Sequence, residues 1–219
     1  MPDASTGPGT ASTGPGPAST GPGPDSAGPG PASAAVSAAR LLLDRPPGLG
    51  TVRLGVVDGP SGSGKSTFAQ LWAHEVLLAG SPSVSVFHTD VLATWDEPFE
   101  WWSRFDTGVL GPLARRCSGR VQATDWSNGT PRPGSWLDLP PTPVLIAEGV
   151  SCGRTEVAGR ASVLVWVELP DRRERLERAV ARDGEQSRRY LTTWQGDEDA
   201  FFAADRTRHR ADVVVEPGR

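Results

Sequence analysis

Lysine is almost missing from this chain of 219 residues: of 22 basic residues, one, Lys65, is lysine and the rest are arginine. Cysteine is nearly as scarce. Cys117 and Cys152 stand 35 positions apart with no CxxC pair, which excludes a disulfide framework and a metal knuckle and suits a reducing compartment. No apolar run approaches the roughly 20 residues that cross a bilayer, and no basic segment followed by an apolar stretch opens the chain. A soluble, cytoplasmic protein with no membrane partner is therefore expected. An excess of either charge is missing too, since 22 basic against 26 acidic residues leave a formal net charge of −4. So weak a field argues against nucleic acid or an anionic membrane as a partner.

Glycine and proline, by contrast, are abundant at 26 and 21. Residues 4–31 read ASTGPGT, ASTGPGP, ASTGPGP and DSAGPGP, four copies of a seven-residue unit. Glycine at two positions in seven excludes the every-third spacing of a collagen triple helix, and the unit has nothing apolar to bury. Residues 1–32 are thus expected to be a disordered Gly/Pro/Ser/Thr repeat tail, a flexible tether of short polyproline II pieces joined by glycine swivels. Residues 33–219 keep 18 Gly and 13 Pro, ordinary globular usage, and their number suits one domain.

Within that domain Ser33 reads as the N-cap of a first helix that ends before Pro46-Pro47. Strand and helix patterns then alternate. Residues 51–58 (TVRLGVVD) form a short β-branched run, 66–78 (STFAQLWAHEVLL) have helical spacing, and 83–88 (SVSVFH) are again strand-like. Residues 97–117 carry helix with a break expected at Gly111-Pro112. PVLIA at 143–147 and SVLVWV at 162–167 are near-continuous apolar runs, as parallel strands covered on both faces require. A charged helix over 171–182, a second over about 185–206 and a last strand at 212–215 complete an α/β, doubly wound pattern.

Gly59-Pro60-Ser61-Gly62-Ser63-Gly64-Lys65-Ser66, followed by Thr67, fits G-x-x-x-x-G-K-[ST] and falls between a predicted strand and a predicted helix. Glycines let the backbone turn several N–H groups inward at the positive end of the following helix, a nest that suits a polyphosphate. There Lys65 would reach the β- and γ-phosphates of ATP or GTP, and the Ser66 hydroxyl would ligate Mg²⁺. In a doubly wound sheet the rest of a site lies beyond the carboxyl ends of the strands. Four acids fall there: Asp58, Asp90, Glu148 and Glu168. Asp90 could take the proton of a hydroxyl acceptor, and Glu148, followed by Gly149, has the setting of a carboxylate that holds the metal. The bland alternative for each is a capping or loop carboxylate, and it suits Asp58 and Glu168 better.

The charged helix carries Arg175, Arg178 and Arg182 at spacings of three and four, hence on one face. Guanidinium groups there could grip the transferring phosphoryl group as a lid, with Arg178 and Arg182 the candidates; interleaved Glu174 and Glu177 suit a solvated face instead. Of eight tryptophans, Trp95, Trp101, Trp102 and Trp126 follow the second strand, where aromatic faces could stack a base or sugar. Trp101 and Trp102 read as helix packing. Trp126, next to Asp125, is the better site candidate. His88, two residues before Asp90, is left open.

Taken in order, VDGPSGSGKST, the HTD of 88–90, the TDW of 124–126, IAEG at 146–149 and RAVARDG at 178–184 resemble the uridine kinase-like branch of the P-loop nucleoside and nucleotide kinases, over about residues 51–215. The resemblance implies a three-layer P-loop NTPase fold, a five-stranded parallel sheet with helices on both faces and a helical lid around residues 172–190. It implies that Asp90 positions or deprotonates the acceptor hydroxyl, that Asp125 belongs to the acceptor pocket, and that Arg178 and Arg182 are lid arginines. Val91-Leu92 and Thr124 stand where the family has aromatic residues, and the single tyrosine is Tyr190. The expected activity is transfer of a γ-phosphoryl group to a small-molecule acceptor, a nucleoside or nucleotide. A nucleotide-binding regulatory module and a kinase for a non-nucleoside metabolite are the alternatives.

Overall fold

The structure, a computed structural model, describes residues 30–95, 97–127 and 130–216. The repeat tail expected to be disordered lies, up to residue 29, outside the described residues. In chain order the elements are α1 (Pro31–Asp44), β1 (Arg53–Asp58), α2 (Lys65–Leu78) and β2 (Val84–His88), then a helical run of α3 (Trp102–Phe105), a π turn (Asp106–Leu110) and α4 (Gly111–Ala114). They continue with β3 (Gly119–Asp125), β4 (Arg132–Leu139), β5 (Val144–Glu148), β6 (Ala161–Val167), α5 (Arg172–Asp183), α6 (Arg188–Asp205), α7 (Thr207–Arg210) and β7 (Val213–Val215).

Five parallel strands form one sheet in the order β2-β5-β1-β6-β7. Because successive strand side chains alternate between faces, each central strand supplies two cores. Val163, Val165 and Val167 of β6 join Val144 and Ile146 of β5 against α1 and α2, whose Leu42, Phe68 and Trp72 are buried there. Leu164, Leu145 and Ala147 face the other way, against Trp101, Phe105 and Leu110. Both faces of the sheet are therefore covered by helix, which is why these strands read as continuous apolar runs. Each such fully buried aliphatic or aromatic side chain contributes about 1.5–3 kcal/mol. The three-layer architecture expected from the sequence is the one observed, and α5 and α6 pack together through Ala179, Val180 and Leu191.

Three local readings are corrected. Helix α1 starts at Pro31 with Gly30 as N-cap, and not at Ser33, whose hydroxyl donates to Gly30 O at 2.9 Å. Proline at the first helical position has no N–H to leave unpaired and its fixed φ suits the helix, so Pro31, the last residue of the fourth repeat, and Ala32 are helical. The helix does not break at Gly111-Pro112, which lie inside α4. The preceding turn widens to π geometry instead, accommodating the N–H that Pro112 lacks and its crowded ring. Finally, β3 and β4 form an antiparallel hairpin where no strands were expected. Strand β4 is mostly exposed and contains Pro133 and Gly134, so it shows no apolar alternation, and its proline is tolerated because the strand is an edge.

Candidate active site

The site assembles at the carboxyl end of the sheet, around the loop from β1 to α2. Gly62 has φ of 75°, and a Cβ there would lie 2.2 Å from the carbonyl oxygen of Arg175, so only glycine lets the loop pass under α5. The first-turn N–H groups of α2 have no partner within the helix and open into this loop. Lys65 is buried, and its Nζ donates to Pro60 O at 3.0 Å. The loop is braced from below by Asp58, fully buried, whose carboxylate accepts the N–H groups of Gly59 at 2.7 Å, Ser151 at 2.9 Å and Gly153 at 2.8 Å. Burial pushes its pKa up to about 7, against the pull of those N–H donors and Lys65. Asp58 thus ties the phosphate loop to the turn after β5.

Parallel register sets His88, at the end of β2, beside Glu148 at the end of β5. Glu148 is 2% exposed; its Oε1 accepts from the Ser66 hydroxyl at 2.9 Å and pairs with His88 Nδ1. Gly149 follows with φ of 149°, and a Cβ there would lie 1.9 Å from Thr89 Oγ1 and 3.2 Å from Asp90 Oδ1. That close approach brings Asp90 against the same strand end. Asp90 is exposed, but to a concave cavity whose walls exclude much of the solvent, and this desolvation raises its pKa; neighbouring Glu148 adds to the rise while Lys65, Arg182 and His88 oppose it. For Glu148 burial also pushes upward, yet His88, Lys65 and Ser66 outweigh it and hold the carboxyl below its ordinary range. Two acids in one site are therefore driven apart, the arrangement that separates a permanently ionised ligand from a proton acceptor.

Ser61, Ser66, His88, Asp90, Glu148 and Arg182 open into one cavity of about 740 Å³. Its far wall is aromatic: Trp95 stacks on Tyr190 at 5.4 Å and meets Trp126 and Trp194 edge-on at 5.8 and 5.7 Å. Arg182 pairs bidentately with Asp183 at 2.7 Å and stands close enough for Asp90 and Glu148 to raise its pKa further. Superposed on solved structures, the chain matches a possible uridine kinase from Bacillus stearothermophilus with a TM-score of 0.60, at 19% identity over 84% of this chain and 97% of that one. The chain has the fold of the uridine kinase-like P-loop kinases. A proposed fructose transport system kinase from Silicibacter sp. TM1040 shares that fold with a TM-score of 0.56, at 17% identity over 82% of this chain and 98% of that one. No family model matches the sequence, and no curated protein matches it.

On this P-loop kinase fold the predicted site residues divide. Ser61 and Ser66 of the loop line the cavity together with Asp90, Trp126, Glu148 and Arg182, while Lys65 lies buried in the loop, bonded to Pro60 O. Thr67 sits one residue on, exposed on α2. Asp125 and Arg178 are not among the cavity residues. The Asp125 carboxylate accepts from Ser127 N and Arg132 Nε, both at 2.8 Å, which lower its pKa to about 2. Arg178 pairs with Glu174 at 2.7 Å along its own helix. Glu168 is held by Arg208 and by Trp166 Nε1, and Trp101 is buried in the core, both structural placements. Sequence reasoning had Trp95 only among the aromatic faces that could stack a base or sugar, and missed Tyr190 and Trp194 as cavity walls and Glu198 as a loop contact; Tyr190, Trp194 and Glu198 recur at helical spacing of four, the one pattern that points to a shared face.

Magnesium fits this site. Glu148 Oε2 is buried with no hydrogen-bond partner, beside the Ser66 hydroxyl, so two hard oxygen donors converge at the loop. Among the described residues no group of three or more His, Cys, Asp or Glu could hold a metal alone. Mg²⁺ is typically held by one or two carboxylates together with substrate phosphates, which matches that sparse donor set.

Proposed function

We propose that the chain transfers the γ-phosphoryl group of ATP or GTP to a hydroxyl group of a small molecule with a flat face, a nucleoside being the class that suits the aromatic wall. The observation that carries this reading is the single cavity shared by the phosphate loop, Asp90 and four aromatic side chains. The possible uridine kinase of the same fold supports the acceptor class.

In this reading the acceptor lies against Trp95, Trp126, Tyr190 and Trp194 with its hydroxyl toward Asp90. Asp90 accepts the hydroxyl proton as the acceptor oxygen bonds to the γ-phosphorus and the bond to the β-phosphate oxygen breaks, releasing the nucleoside diphosphate. Lys65 exchanges its bond to Pro60 O for the β- and γ-phosphates. Arg182 offers its guanidinium to the equatorial oxygens, where negative charge spreads in the transition state. Ser66 and Glu148 would hold Mg²⁺, which would supply neutralisation of the phosphate charge.

Mg·ATP is expected to raise the thermal unfolding midpoint of the full chain, by about 5–10 °C at a hundred times its Kd, because a ligand of the native state stabilises it by mass action. Within a panel of nucleosides, sugars and other alcohols, the acceptor is the compound that adds a further rise when Mg·ATP is present. No rise with either Mg·ATP or Mg·GTP would contradict the proposal.

A further inference from the structure

Helix α6 turns Leu191, Gln195 and Glu198 inward, one stripe at spacings of four and three. An apolar residue would suit the third position, yet Glu198 is fully buried there. Its two carboxylate oxygens accept the backbone N–H of Ser61, each at 3.0 Å, and it also accepts from the Ser61 hydroxyl and from Trp194 Nε1. Among the described residues Glu198 makes no ion pair, and the nearby Lys65 ammonium is bonded to Pro60 O instead. Burial pushes the Glu198 carboxyl up, with Lys65 and the Ser61 donors opposing. The partners of this buried anion thus come from the phosphate loop itself and from one wall of the cavity.

We propose that Glu198 is an internal anion that occupies part of the phosphate loop and must give way before a nucleoside triphosphate can seat there; this rests on the reading of the loop as a triphosphate site. A nest of inward N–H groups at a helix N-terminus takes an anion, and Ser61, which lines the cavity, already donates to one. A triphosphate brings more negative charge to the same loop, and like charges placed together in a partly desolvated site repel strongly. Glu148 differs, because its carboxylate faces Ser66 and His88 where a divalent cation fits. Glu198 has no such cation. Its release would also free α6, which carries Tyr190 and Trp194 of the cavity wall, so loading of the phosphate loop and opening of the acceptor cavity are linked through one side chain.

The test is calorimetric binding of a non-hydrolysable ATP analogue and of ADP, each with Mg²⁺, to wild type, Glu198→Gln and Trp194→Phe in the full chain. Glu198→Gln keeps the shape and removes the charge. It is expected to bind the triphosphate analogue at least about tenfold more tightly, with a smaller gain for ADP, which brings less charge. Trp194→Phe removes one donor to the carboxylate and is expected to give a partial gain. A wild type that binds the analogue, with Glu198→Gln equal to it or weaker, would overturn the proposal while leaving the loop reading intact; should Glu198→Gln not fold, equal or weaker binding by Trp194→Phe would overturn it. No binding by wild type or either variant would overturn the loop reading and the proposal together.

Discussion

Lys65→Ala is expected to lower acceptor-dependent release of ADP by about a hundredfold to a thousandfold, the range seen when one charged or hydrogen-bonding group is taken from a site where transition-state charge develops. The reason is local and unusually clean. Lys65 is the one lysine of the chain, so no other lysine can take over its role. It is buried, with its ammonium reaching back over the loop to Pro60 O at 3.0 Å, and a flexible four-carbon stem lets it swing from that carbonyl to a phosphate. An arginine would bring a planar fork into a space that holds a compact ammonium, so Lys65→Arg is expected to fail nearly as completely. Steady-state ADP release measures the loss, and equilibrium binding of Mg·ADP shows how much of it is affinity. Lys65→Ala with full turnover would mean that the loop does not do this chemistry.

Asp90→Asn is expected to reduce acceptor-dependent turnover by about a hundredfold to ten-thousandfold, the usual range for a positioned proton acceptor, while nucleotide binding stays close to that of wild type. The split follows from placement. Asp90 lies beyond β2 and is the group that the proposed reading turns toward the acceptor, whereas Glu148 accepts from Ser66 of the loop. Desolvation raises the Asp90 pKa, and a base acts only when ionised, so the wild-type rate is expected to fall on the acid side at a pH above the ordinary carboxylate range. Asp90→Asn should lose that acid limb along with the rate. A rate profile of unchanged shape and height in the variant would remove Asp90 from the chemistry.

The sequence exposed most of the scaffold, for identifiable reasons. Strands β1, β5 and β6 are buried on both faces, so their apolar runs are continuous and easily seen. The phosphate loop was legible because glycine spacing, Lys65, Ser66 and a strand-to-helix setting coincide within a few residues. The β3-β4 hairpin was not, since an exposed edge strand containing Pro133 buries too little to pattern its residues. Site geometry divided along the same line. Glu148 ends β5 and Asp90 lies two residues past β2, where local sequence predicts their position. His88 meets Glu148 only through the β2-β5 register. Spacing of four places Tyr190, Trp194 and Glu198 on one face of α6, but that this face meets Trp95 and the phosphate loop is a long-range event that one-dimensional spacing does not record. Asp125 shows the converse: the family resemblance implied a pocket residue, but Arg132 across the hairpin holds its carboxylate.

The most direct measurement follows the phosphorus. With ATP labelled at the γ-position, Mg²⁺ and the alcohol that stabilises the protein most, the label should appear on a hydroxyl of that alcohol with wild type and be nearly absent with Asp90→Asn. Label appearing only as inorganic phosphate, at the same rate with and without the alcohol, would contradict a phosphotransferase.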